Sequence, residues 1–324
     1  MQLSVGLRRT ALAAALAMAA GVANAQEWPN RPIRIMVGFG AGGGTDVVTR
    51  IVAEPLADLL GQRVIVENKP GAGGTLAGDV IAKGSRDGYD ALMISAGHTV
   101  SAVMIKAQNY DAVKDFTPVG VVANSVICVI AGKNTPANNL KELIEYAKKN
   151  AGKLNYGTVG IGSTQHLTAE LLRQKAGIDA QQVNFRTTPE VVTALIRGDI
   201  AYAVDLAHAV RGQVQSGDLK ILAVTTGKRW PTLPDVPTVI ESGLPDFDVL
   251  GWYGLVFPAG VPPTAVEKTQ RALAQVLARE SVRNQLLNVG ALPNLSTPQE
   301  FGTLIEQEVV RWRAVAKASG LEPQ

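Results

Sequence analysis

A single cysteine in 324 residues, Cys128, leaves no internal disulfide to be made, and its place in the apolar run 126–130 marks it as a packed core residue. Histidine is almost as scarce. His98, His166 and His208 are not spaced as metal ligands, and no His-x-x-x-His or carboxylate cluster accompanies them, so no metal site is expected. No Gly-x-Ser-x-Gly elbow occurs, which removes the common serine-hydrolase design. Charge of one sign is also missing: 31 basic residues stand against 28 acidic ones. That balance gives no electrostatic footprint for nucleic acid or an anionic membrane surface. The chain also has no apolar run of the roughly 20 residues needed to cross a membrane, so no membrane insertion is expected.

The N-terminus has what an export signal needs. Arg8 and Arg9 precede an alanine-rich apolar run over 11–22, followed by Ala23, Asn24 and Ala25. This order predicts a signal peptide at 1–25, cleaved after Ala25, and hence a periplasmic location. Arg8-Arg9 also weakly resembles a twin-arginine signal. Removing 1–25 leaves 29 basic and 28 acidic residues. No cysteine stands at the new N-terminus to take a lipid, and the remaining chain is long enough for two hydrophobic cores.

Apolar strand-like runs alternate with amphipathic helical stretches through most of the chain, and glycines separate them. This is an α/β pattern. Strands are expected at 33–39, 64–67, 90–95 and 119–122, with helices at 47–60, 76–83 and 99–105 between them. A second set follows: strands at 126–131, 154–159, 183–185, 200–205 and 219–225, and helices at 140–150, 164–176 and 191–197. Asn139 with Glu142 reads as a capping box, as does Thr297 with Glu300, where Pro298 takes the first helical position. After a Pro-rich connector at 231–245, one more strand at 249–257 precedes two long helices. Those helices cannot build a core alone. The economical division is a discontinuous domain 26–124 plus 251–324 and an inserted domain 125–250, joined by two hinge crossings.

Chemistry concentrates in the loop Phe39, Gly40, Ala41, Gly42, Gly43, Gly44, Thr45, Asp46, which lies between a strand and a helix. Its glycines allow close backbone approach, and the helix start offers unpaired N–H groups and the positive dipole end. A loop of the same build, Gly160 to Thr164, occupies the matching place in the second unit. Ligands of open α/β sheets bind beyond the carboxyl ends of the strands, so the two loops are expected to face one another. His98 follows a strand end and is either a cleft contact or a turn residue. His166 is read as orienting the second loop, and His208 as solvated. Ser163 stands where a serine ordinarily caps a helix. Trp252 and Tyr253 either wall the pocket or belong to the core.

A dinucleotide fold competes with this reading. Gly38, Gly40 and Gly43 satisfy G-x-G-x-x-G, and Glu67 ends the next strand where a ribose-binding acid would sit. An exported NAD(P)-dependent oxidoreductase using Gly38 to Gly43 is therefore the alternative, and a ligand sensor docking on a membrane kinase is a third class.

Several stretches together resemble the periplasmic substrate-binding subunits of tripartite tricarboxylate transporters, the TctC or Bug family. They are Trp28-Pro29-Asn30-Arg31-Pro32-Ile33, the loop at 39–46, Val66-Glu67-Asn68-Lys69-Pro70-Gly71-Ala72-Gly73-Gly74-Thr75, Gly157-Thr158 with Gly160, Gly162-Ser163 and His166-Leu167, and 219–225 followed by Lys228-Arg229 and Thr232 to Val239. The resemblance implies a two-domain periplasmic-binding-protein (Venus-flytrap) α/β fold, each domain a mostly parallel sheet flanked by helices. It implies a small organic acid as ligand, inner-membrane transporter subunits as partners, no catalysis and no cofactor; a monomer is expected. Carried over by residue, Phe39, Gly42, Gly43, Gly44, Thr45 and Asp46 form the first side of the pocket, Gly162, Ser163 and Thr164 the second. Asp205 matches a position that can meet an amino group. The chain departs from the family at Arg186, where Phe185-Arg186-Thr187-Thr188-Pro189-Glu190 replaces a Tyr-Lys-Gly run. Arg186 either pairs with a distal carboxylate or is a solvated surface residue. After Ala96-Gly97-His98, Ser101 stands where the family often has Asn.

Overall fold

The computed structural model describes residues 28–160 and 163–323. The expected signal peptide and Gly162 lie outside the described residues. Eleven strands are described: β1 Ile33–Val37, β2 Val64–Asn68, β3 Asp90–Ser95, β4 Phe116–Ser125, β5 Ile127–Gly132, β6 Leu154–Val159, β7 Ala180–Phe185, β8 Tyr202–Leu206, β9 Leu219–Val224, β10 Gly251–Pro258 and β11 Ala291–Pro293. They form two sheets, of order β11-β4-β10-β3-β1-β2 and β7-β6-β8-β5-β9.

Both sheets are mixed rather than mostly parallel. β1 pairs in parallel with β2 and β3, and β6 with β7 and β8. β10 runs antiparallel to β3 and β4, β11 to β4, and β5 to β8 and β9. The cause is the double passage between the sheets. β4 leads through Val126 straight into β5, and β9 returns through 225–250 into β10. An outgoing strand beside a returning one has to pair antiparallel. The strands at this passage are apolar, and β5 and β10 are buried along their whole lengths.

Helices cover both faces of each sheet. Helix Gly44–Leu60 sets Val48, Val52 and Leu56 four residues apart on its buried side and ends at Gly61, whose φ of 67° is left-handed. The chain ends in three helices, Pro263–Ala278, Glu280–Asn288 and Pro298–Ala318, where two were expected. Arg279, with extended ψ of 125°, breaks the first from the second. The last helix starts with the expected Thr297–Glu300 capping box. It serves both units: Phe301 and Ile305 pack into a core of the first sheet, while Trp312, Val315 and Ala316 pack into a core of the second. At 139–142 the box is displaced: Asn139 accepts from the Glu142 N–H, but Glu142 accepts from Asn138 N–H at 2.7 Å.

Candidate functional site

The first loop leaves β1 at Gly38, where the fold permits no side chain. A Cβ there would lie 2.6 Å from Gly74 Cα and 2.9 Å from Gly74 O. Both obstacles are backbone, so Gly38→Ala is expected to cost about 1–3 kcal/mol in chemical denaturation. An unchanged midpoint would mean that the two loops are not held together.

Asp46 occupies a different place from the one expected. Its buried carboxylate accepts from Gly42 N–H at 2.8 Å, Arg50 Nε at 3.0 Å and Asn68 Nδ2 at 2.8 Å. Asn68 also donates to Phe39 O at 3.0 Å. Burial pushes the Asp46 pKa up, but the bonds from Arg50, Gly42 and Asn68 outweigh it and hold the group below its ordinary value. Asp46 thus braces the loop from within and takes up the Gly42 donor. The first-turn N–H groups of Gly44, Thr45 and Asp46 keep no acceptor inside the helix and supply its positive end.

Phe39 and His98 meet on the other side of this loop, around a gap of about 10 Å³ shared with Gly74, Ser95 and Tyr110. That is at the lower limit for one water. His98 is a packing residue rather than a cleft contact: it is buried, it stacks on Tyr110 at 6.0 Å and it meets the Phe116 edge at 5.3 Å. Its Nε2 lies 3.0 Å from Ala112 O. A carbonyl only accepts, so Nε2 carries the proton, and burial lowers the pKa and keeps the ring neutral.

In the second loop Ser163 caps helix Thr164–Ala176. Its Oγ accepts from His166 N–H at 3.1 Å and donates to Val159 O. Thr164 is buried at the helix start, and its carbonyl accepts from Thr168 Oγ1 at 2.6 Å. Asp205, 1% exposed, accepts from Thr188 Oγ1 and Leu206 N–H, each at 2.7 Å, and from Gln165 Nε2 at 3.4 Å. Burial raises its pKa against the pull of those donors. The Arg186 backbone donates to Glu190 at 2.9 Å, and its side chain is exposed.

The principal cavity, about 680 Å³, lies between the two sheets. Gly42 and Gly44 line it from the first loop, with Val47, Tyr253 and Gly290 beside them. The opposite wall is Val126, His208, Arg211, Val214, Trp230 and Leu233. Among the described residues Ser163, Thr164, Arg186 and Asp205 do not line it. His208, read as solvated, has a buried Nδ1 with no partner among the described residues. Arg211 and Trp230 were not singled out in the sequence at all. The available signal was position: Arg211 follows the carboxyl end of β8, where α/β folds bind ligands. Trp230 was hidden next to the Pro-rich stretch read as a connector. Trp252 belongs to the core and Tyr253 to the cavity wall. Among the described residues no His, Cys, Asp and Glu group could hold a metal, and no helix is long and apolar enough to cross a membrane.

Two α/β units joined by two strand passages, with a cavity between them, define a two-lobed solute-binding protein. The family model described as tripartite tricarboxylate transporter family receptor matches residues 48–321, and the chain belongs to that family. It is similar to the periplasmic binding protein BugD, at 35% identity over 92% of this chain and 100% of that one, with a TM-score of 0.76. MatC from Rhodopseudomonas palustris, solved with bound malate, is 32% identical over 89% of this chain and 99% of its own, with a TM-score of 0.75. Rpa4515 of R. palustris, solved with adipate, is 31% identical over 92% and 100%, with a TM-score of 0.80.

Proposed function

We propose that this protein captures a small carboxylate between its two units in the periplasm and delivers it to the membrane subunits of a tripartite tricarboxylate-type transporter, without catalysis. The observation that carries the proposal is the cavity between the sheets, with the unpaired N–H groups of a helix start at one end. The relatives solved with malate and adipate support a carboxylate as cargo. BugD's periplasmic description supports the location, with 1–25 removed as a signal peptide. In the proposed division, 26–124 plus 251–324 closes on 125–250 about the two passages, and the last helix bridges them.

Geometry speaks against the dinucleotide alternative. β1 lies between β2 and β3, an order of 2-1-3, whereas the dinucleotide fold has 3-2-1. Glu67, the acid that would meet a ribose, is paired with Arg34 at 3.1 Å.

Gly43→Asp tests the site. Gly43 has φ −71° and ψ 160°, which any residue adopts, and aspartate is a good helix cap. The variant is expected to fold and to lose at least about tenfold in carboxylate affinity by titration calorimetry, through like-charge repulsion at the helix start. Unchanged affinity for every carboxylate bound by the parent would remove this loop from the site. Heat on adding NAD(P), with none for any acid, would reinstate the oxidoreductase.

A further inference from the structure

We infer that the carboxylate this receptor selects carries an apolar body of aromatic-ring size or larger, housed in the cavity between the sheets, with Arg211 on the opposite wall adding to the charge attraction that the helix start supplies. The inference rests on the receptor reading above and concerns which acid is chosen.

The volume, about 680 Å³, falls in the range of pockets that enclose drug-sized ligands. Its walls are mainly hydrocarbon: Val47 and Val289 on one side, and Val214, Ile221, Trp230 and Leu233 on the other. Among the described residues no acidic side chain lines it. The charged lining residue is Arg211, and among the described residues its guanidinium has neither an ion pair nor a hydrogen bond. Arg50, by contrast, is already committed to Asp46 and Asn68. An unpaired cation facing apolar walls complements an anion with a hydrophobic body. His208, Gln215, Thr232, Tyr253 and Asn288 supply the polar part of the lining, and a compact hydroxy-acid that met them would leave the valine, leucine and tryptophan surface uncovered. A ring or long alkyl chain gains affinity with each methylene equivalent that it buries. Trp230 offers an indole face of matching chemistry.

The test is titration calorimetry of the purified protein with 4-phenylbutyrate, benzoate, malate and citrate, repeated on Arg211→Gln and Val214→Trp, with a melting curve for each variant. Arg211 is exposed at the start of a short helix, so its variant is expected to fold; Val214→Trp puts a larger side chain on the cavity wall and narrows it. The expected result is phenylbutyrate at least tenfold tighter than malate, and weakened about tenfold by Arg211→Gln and by Val214→Trp. Malate or citrate binding as tightly as the apolar acids overturns the inference and leaves the receptor reading standing. Apolar acids binding with no response to folded Arg211→Gln overturns the assigned position. Silence toward all four acids, while another carboxylate binds, also overturns it; silence toward every carboxylate removes the receptor reading as well.

Discussion

Trp312→Ala is expected to cost about 3–5 kcal/mol in chemical denaturation and to lower the melting temperature by on the order of 10 °C. Trp312 is fully buried in the helix Pro298–Ala318 and belongs to the core that also holds Leu167, Leu172 and Tyr156 of the second unit. Truncation leaves a cavity of indole size in a place framed by two elements far apart in sequence. Gln174 Nε2 also reaches back to Val315 O at 3.3 Å, so the helix end is tied to the second unit by polar contacts as well. A loss below about 1 kcal/mol would mean that the helix end is not integral to that core.

Glu308→Gln is expected to stabilise the protein by up to about 3 kcal/mol at pH 8 and to leave it nearly unchanged near pH 4, measured by denaturant melts of variant and parent side by side. Glu308 is 3% exposed and accepts from Thr99 Oγ1 at 3.0 Å and Trp252 Nε1 at 3.1 Å. Burial raises its pKa from 4.5 to about 7, against the opposing pull of Thr99, Trp252 and the charge of Arg311. The folded protein therefore holds this proton more tightly than the unfolded chain does. The stabilising contribution is complete below about pH 4.5 and is lost as pH rises through about 7. Glutamine mimics the protonated form at every pH and still accepts from Trp252. A variant that loses stability at pH 8 would show that the ionised carboxylate is the favoured form.

Elements governed by their own residues were legible in the sequence. The strand at 90–95, the strand at 154–159 and the helix at 164–176 agree to the residue with β3, β6 and the observed helix. The Thr297–Glu300 box agrees because its bonds span three residues. What depends on distant partners was not legible. The antiparallel half of each sheet follows from how the chain passes between units, and β4 runs from 116 to 125 because β10 pairs along it. Asp46 at 46 gives no local sign that Asn68 will bond it, and His98 none that Tyr110 and Phe116 will enclose it. The glycine loop was found through its composition, whereas the opposite wall comes from separate segments, 207–215 and 230–233, with no shared motif.

Synthesis runs from the N-terminus, and the helix that completes a core in each unit, Pro298–Ala318, is made after every other element described. Phe301 and Ile305 fill one core and Trp312, Val315 and Ala316 the other only after all the strands of both sheets exist. A nascent chain of this protein therefore has neither of those cores complete until residues 301–316 have emerged. The same arrangement makes this helix a poor place for truncation, because a stop after residue 304 would unmake the two halves differently. The first unit would keep Phe301, and the second would lose every residue the helix lends it.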